Sequence, residues 1–323
     1  MRISYEIEAD WVLLRTCNFR CAYCAILPED LAGKISVYAS PLEWLDAFNA
    51  TGKSWLLHLT GGEPSIYPGF VELCEHLTRN HYLSINTNFS NPSLDNLCEN
   101  VDAARVHYIN AALHHEERIR RTSVDSFVSR ALKFKERNFN LLISSVMTPP
   151  VARVFDELQE VFQAHGLFVI PKVMRGWYAG KLYPDSYTRS ERTLIRDHLA
   201  RARQTYAAVL ANMIEPPTVN MFTDERFLRG IPDYRGSLCA SGSKFVEIEP
   251  NGDVFRCSSG QLLGNVLKKN IKLLSNSQRC DTSYCPYFCE KYTSPPFAMA
   301  QPKPKTHTVE YSIAGLVRRA ISK

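Results

Sequence analysis

Two kinds of apolar pattern alternate along the first two thirds of the chain. Short continuous runs at 11–16 (WVLLRT), 55–60 (WLLHLT), 82–87 (YLSINT), 104–110 (ARVHYIN), 140–147 (NLLISSVM) and 167–174 (LFVIPKVM) read as buried strands. Between them, apolar residues recur at helical spacing: Phe70, Leu73, Cys74, Leu77; Leu94, Leu97, Cys98, Val101; Val124, Phe127, Val128, Ala131; and Val151, Val154, Phe155, Leu158, Val161, Phe162. Residues 190–213 read as one more long helix. Six strands separated by helices predict an α/β fold with a mainly parallel sheet, because parallel neighbours need helical crossovers.

Past Met213 the texture changes. EPPTV and RGIPDYRGS are rich in turn formers, and FVEIEPNGDVFRC reads as a hairpin turning at Asn251-Gly252. Residues 290–306, with four prolines, read as loop, and 311–323 (YSIAGLVRRAISK) as a final amphipathic helix. No internal repeat is evident. The change places a boundary near residue 231, with one domain over 1–230 and a smaller one over 231–323.

The chain has 323 residues, of which 45% are hydrophobic and 22% charged, enough for a substantial core. No run of 18 apolar residues is present, so no membrane span is expected. The start, MRISYEIEAD, lacks a basic-then-apolar secretory layout, and a cytoplasmic location is expected. Net charge is +5, but the excess sits in residues 301–323, where five Lys and Arg face Glu310 alone. The remainder is nearly neutral, which argues against a nucleic-acid face.

Ten cysteines change the picture. In a reducing compartment they point to metal or redox chemistry rather than disulfides. Cys74 and Cys98 each occupy the i+4 place of an apolar helical stripe and read as small buried hydrophobes. The others gather in two groups: Cys17, Cys21 and Cys24, then Cys239, Cys257, Cys280, Cys285 and Cys289. The first group, CNFRCAYC, follows directly on a strand, at the end where parallel sheets collect catalytic groups. Three thiolates on one loop suit three irons of a [4Fe–4S] cluster and leave the fourth iron open. A structural zinc site prefers four protein ligands, and C-x3-C-x2-C supplies no local fourth.

CNFRCAYC resembles the C-x3-C-x2-C signature of the radical SAM superfamily, including an aromatic before the third cysteine. Gly61-Gly62-Glu63-Pro64, at the end of the second predicted strand, resembles that superfamily's GGEP element. The resemblance implies a partial (β/α)6 barrel, and S-adenosylmethionine chelating the open iron through its amino and carboxylate groups. It further implies one-electron cleavage to a 5′-deoxyadenosyl radical that abstracts substrate hydrogen, the electron coming from a reductant such as flavodoxin or ferredoxin. It places the Gly61-Gly62-Glu63-Pro64 backbone by the methionine amino group and Tyr23 by the adenine. Asn86 and Asn88 fall in the ribose region, with capping of the strand–helix turn as their alternative role. Asn110 and Arg121 stand where many relatives have a Ser/Arg pair for the methionyl carboxylate; Arg118 and Arg120 are alternatives to Arg121.

The second cysteine group, with Gly252 five residues before Cys257 and a closing C-x3-C, resembles the SPASM/Twitch extension of the same superfamily. Five cysteines imply one auxiliary [4Fe–4S] cluster, with one of Cys280, Cys285 and Cys289 spare; a zinc ribbon is the alternative. An auxiliary cluster implies oxidation by uptake of the substrate electron, and a spare thiol implies epimerisation by hydrogen return.

His114 and His115, with Glu116 and Glu117, follow the fourth strand. They read either as a base for a substrate hydroxyl or as a solvated helix start whose acids complement the dipole. Arg175, Trp177, Tyr178 and Lys181 are candidate ligand contacts. The first strand starts near residue 11, leaving no room before it for a peptide-recognition domain. The expected substrate is therefore a small polar molecule of sugar or aminocyclitol type, undergoing dehydrogenation or epimerisation. Maturation of a ribosomally made peptide is the alternative within the family, and a non-catalytic electron-transfer protein the alternative outside it.

Overall fold

The computed structural model describes residues 4–211, 227–228, 233–257, 260–281, 285 and 292–293. Six parallel strands form in the expected order: β1 (Ile7–Leu14), β2 (Trp55–Gly61), β3 (Tyr82–Thr87), β4 (Val106–Ala112), β5 (Leu141–Val146) and β6 (Val169–Lys172). The helices are α1 (Pro28–Leu31), α2 (Pro41–Asn49), α3 (Phe70–Leu77), α4 (Ser93–Asn100), α5 (His115–Arg120), α6 (Val124–Glu136), α7 (Pro149–Arg153), α8 (Phe155–Gln163), α9 (Arg189–Thr205) and α10 (Ala207–Ala211). Strand followed by helix, six times over, is the partial (β/α)6 barrel.

A short hairpin, β7 (Gly176–Tyr178) and β8 (Lys181–Tyr183), follows β6. Of the later strands, β9 (Leu238–Cys239) pairs with β13 (Gln278–Arg279), while β10 (Phe245–Ile248), β11 (Asp253–Phe255) and β12 (Leu262–Asn265) extend the main sheet. Its order is β12-β11-β10-β1-β2-β3-β4-β5-β6. The hairpin read at Asn251-Gly252 is β10–β11, with Ile248 opposite Val254 and Gly252 at φ +85° in the turn. β10 runs parallel to β1, setting Asp10 beside Glu247.

One face of the sheet packs on the helices. Trp11 meets Trp44 at 4.6 Å and Phe48 at 5.2 Å between ring centroids, and Phe89 meets Phe127 and Phe134 at 5.4 and 5.0 Å. Cys74 and Cys98 are buried in this layer, as their place in the helical stripes predicts. Local chemistry sets the helix starts: Ser40 and Glu43 form a capping box ahead of Pro41, and Thr188 and Glu191 form another at α9.

Three boundaries differ from the sequence pattern. β1 begins at Ile7, not 11, because Glu8 and Asp10 are buried on the face opposite Ala9 and Trp11. There Glu8 accepts from Tyr5 at 2.5 Å and lies 3.2 Å from His58, whose other ring nitrogen meets Ser84 at 2.5 Å. Burial, and then Glu247 and Glu249, hold the Asp10 carboxyl well above the usual range. The apolar stripe over 151–162 is split into α7 and α8 at Val154, whose φ of −115° leaves the helical region. The helix read over 190–213 is interrupted at Tyr206, between α9 and α10, where the Tyr206 hydroxyl donates to the Phe168 carbonyl at 2.6 Å; residues 212 and 213 lie outside the described residues. Cys289 and the helix read over 311–323 lie outside the described residues.

Candidate active site

The exits of β1 and β2 are bonded backbone to backbone. Gly62 N–H donates to the Leu14 carbonyl at 2.8 Å and Glu63 N–H to the Thr16 carbonyl at 3.0 Å. This close approach explains the glycine pair. A Cβ on Gly61, which holds φ +122°, falls 2.0 Å from the Leu14 oxygen; one on Gly62 falls 2.1 Å from the Thr16 oxygen. The amides of this strap are thus engaged with the strand that leads into the cysteine loop.

Glu63 is fully buried. Its carboxylate accepts from Thr87 Oγ1 at 2.6 Å, Asn88 N–H at 2.5 Å, and the Ser65 hydroxyl and amide at 2.5 and 3.0 Å. Burial raises its pKa against the pull of those hydrogen bonds. Pro64 opens a single 3-10 turn behind it.

Cys17, Cys21 and Cys24 line a cavity of about 150 Å³ together with Phe19, Tyr23, Gly61, Gly62, Asn86, Asn88, Asn110, His114, Ser144 and Lys172. Every strand from β2 to β6 delivers a residue to it from its exit end. Cys17 Sγ receives the Phe19 amide at 3.3 Å and Asn88 Nδ2 at 3.8 Å; Asn88 Nδ2 also donates to Asn18 at 2.7 Å. Cys21 Sγ lies 3.4 Å from His114 Nδ1, which lies 2.7 Å from the Tyr23 hydroxyl. Burial lifts all three thiols, Cys21 to about 12. The thiolate form therefore needs a cation, which a metal cluster supplies. Three sulfurs on one loop, two of them with N–H or imidazole neighbours, facing a cavity on a glycine strap, fit an iron–sulfur cluster held from one side. Across the cavity, Asn110 donates to Asn86 at 2.5 Å and accepts from Ser144 at 2.8 Å.

The structure thus brings together ten of the residues singled out in the sequence: Cys17, Cys21, Cys24, Tyr23, Gly61, Gly62, Asn86, Asn88, Asn110 and His114. Glu63, Pro64, His115 and Arg121 do not line the cavity. Arg121 pairs with Glu117 at 3.2 Å, donates to the Asn18 carbonyl at 2.8 Å and covers Phe19. Arg118, buried, donates to the Asn88 carbonyl and packs over Phe127. His115 begins α5, with Glu116 and Glu117 in its first turn. Glu117 is buried between Arg120 and Arg121, and Glu116 accepts from Thr148 at 2.6 Å and Tyr178 at 3.2 Å, so these acids are not a solvated helix start. Trp177 is exposed on the β7–β8 hairpin, and Arg175 covers Phe227 at 4.4 Å. Ser144 and Lys172 were not singled out; their only signal was a polar residue near the exit of an otherwise apolar strand.

In the second cysteine group, Cys239 lies opposite Gln278 on the β9–β13 ladder, and the Cys280 amide donates to the Ser237 carbonyl at 2.8 Å. Cys280 and Cys285 pack in one small cluster with Tyr234 and Phe245. Ser241 joins the Cys239 turn to the Cys257 arm by bonding the Arg256 carbonyl. Among the described residues, no three His, Cys, Asp or Glu side chains are grouped to hold a single metal ion. Among the same residues, no helix is long and apolar enough to cross a membrane.

No curated protein matches the chain in sequence. Among solved structures, it is similar to anSMEcpe with bound AdoMet and a Cp18Cys peptide: TM-score 0.54, 15% identity, 82% of this chain and 78% of that one. It is also similar to Streptococcus suis SuiB bound to the precursor peptide SuiA: TM-score 0.50, 17% identity, 83% of this chain and 64% of that one. At such identities these likenesses concern the fold. Residues 11–162, which carry both the cysteine loop and the glycine strap, match the Radical SAM superfamily model.

Proposed function

We propose that the chain is a radical SAM oxidoreductase or isomerase that takes hydrogen from a small polar substrate of sugar or aminocyclitol type. The observation that carries this reading is the meeting of three loop thiols, a glycine strap and the Asn86–Asn110–Ser144 network around one cavity. When bound, the [4Fe–4S] cluster supplies one electron to the sulfonium of S-adenosylmethionine, whose 5′-deoxyadenosyl radical removes the substrate hydrogen.

The chain's own residues hold and orient. Cys17, Cys21 and Cys24 ligate three irons. The strap's amides are engaged with β1, so its carbonyl side receives the methionine ammonium. Tyr23 flanks the adenine, and Asn86 and Asn88 contact the ribose. Arg118 and Arg121 do not line the cavity, whereas Asn110 and Lys172 do, and these two meet the carboxylate. Asn and Ser side chains offer both donors and acceptors, the chemistry that a hydroxyl-bearing substrate requires. Cys239, Cys257, Cys280 and Cys285, with Cys289, form an auxiliary-cluster unit beyond residue 231. An external flavodoxin or ferredoxin, in the cytoplasm, supplies the electron.

A peptide substrate is the second reading, supported by the peptides bound in the similar structures. Anaerobically reconstituted protein, incubated with S-adenosylmethionine and dithionite, should yield 5′-deoxyadenosine; an electron carrier yields none. Deuterium transfer into 5′-deoxyadenosine from a labelled aminocyclitol, as against a labelled peptide, then separates the two substrate classes.

A further inference from the structure

Where β4 runs out into the cysteine loop, three polar side chains meet. His114 Nδ1 lies 2.7 Å from the Tyr23 hydroxyl and 3.4 Å from Cys21 Sγ. The imidazole stacks on Tyr23, with centroids 6.1 Å apart and planes 15° apart, and meets Phe19 edge-on at 5.9 Å. Its backbone holds φ +46° and ψ 56°, the left-handed region that a residue with a Cβ rarely adopts, and sites with such strain are often functional. His114 is therefore fixed on both sides, by its backbone and by the two aromatic rings. This is a different position from that of a base open to substrate.

We propose that His114 is a positioning residue for the cluster-bearing loop: its Nδ1–H donates to the Cys21 sulfur and so raises the reduction potential of the open-iron cluster. The inference rests on the reading of Cys17, Cys21 and Cys24 as cluster ligands. A ligated thiolate has only lone pairs to offer, so the phenol O–H turns toward the sulfur and the imidazole Nδ1–H is shared between the Tyr23 oxygen and the Cys21 sulfur. An N–H···S bond draws charge from the sulfur and stabilises the cluster once it has gained its electron.

Two substitutions separate this role from simple packing. His114→Asn can set an amide nitrogen where Nδ1 stands, whereas His114→Gln sets it where Nε2 stands and leaves Cys21 without the donor. The whole chain is reconstituted anaerobically and titrated with dithionite, following the paramagnetic resonance signal that shifts on addition of S-adenosylmethionine. The Asn variant should keep the wild-type midpoint potential, and the Gln variant, with the same iron content, should titrate at a more negative one. Equal potentials in the two variants would overturn the proposal. So would loss of iron in both, because a donor to one ligand is not needed to hold the cluster. A wild-type protein that assembles no such cluster would instead remove the radical SAM reading, whatever His114 does.

Discussion

The Glu63 carboxylate accepts the Asn88 backbone N–H at 2.5 Å, fastening the exit of β2 to the exit of β3. The same carboxylate holds Thr87 and Ser65, so one buried acid fixes the glycine strap and Asn88, one of the two candidate ribose contacts. Replacing Glu63 with Ala leaves several buried donors without an acceptor, at about 1–3 kcal/mol each. The Ala variant should lose about 3 kcal/mol or more in anaerobic denaturant unfolding. Glu63→Gln, which keeps one acceptor oxygen, should lose less.

Gly62 stands against the first strand with no room for a side chain. A Cβ would come within 2.1 Å of the Thr16 oxygen and 2.4 Å of the Arg15 oxygen, both of them backbone atoms. Gly62→Ala should therefore cost about 1–3 kcal/mol or more through forced displacement of the loop. It should also lower the iron retained after reconstitution. An unaltered unfolding midpoint would contradict the close approach.

Iron counts separate the two cysteine groups. Two cubane clusters predict about eight irons per chain, with little zinc. Substituting Ala for Cys17, Cys21 and Cys24 together should remove about four of them and reduce 5′-deoxyadenosine formation to the level without enzyme. Continued cleavage by that variant would reject the ligand assignment.

His81 gives the pH dependence a specific source. It is buried, both ring nitrogens lack a hydrogen-bond partner, and its ring meets Phe48 at 5.9 Å. Burial lowers its pKa from 6.5 to about 4, so the folded chain holds it neutral where the unfolded chain would protonate it. Its contribution is fully present above pH 6.5 and is lost as pH falls toward 4, a drop of about 3 kcal/mol over that window. Unfolding free energies of wild type and His81→Phe between pH 7 and pH 4 should diverge by that amount. Parallel curves would assign the acid sensitivity to other groups.

Most of the barrel was legible because its strands are buried on both faces and read as unbroken apolar runs. The exception is instructive. Glu8 and Asp10 made the first half of β1 look like surface, and the pairing of Glu8 with Tyr5 and His58 makes the burial of Glu8 tolerable. Likewise, nothing in the spacing of Val151, Val154 and Phe155 signals the break between α7 and α8, since the apolar stripe continues across it.

The cysteine loop and the glycine strap were readable because their chemistry lies in contiguous residues, where spacing alone carries the information. Which strand-end side chains join them was not. Ser144 and Lys172 reach the cavity because sheet pleat and strand register decide where they point, while Arg121, at the end of α5, is drawn to Glu117 and the Asn18 carbonyl. His114 met Cys21 only once a left-handed backbone and the packing of Phe19 and Tyr23 had set its ring. Local order along the chain determined the cofactor chemistry; long-range register and burial decided which polar groups face it.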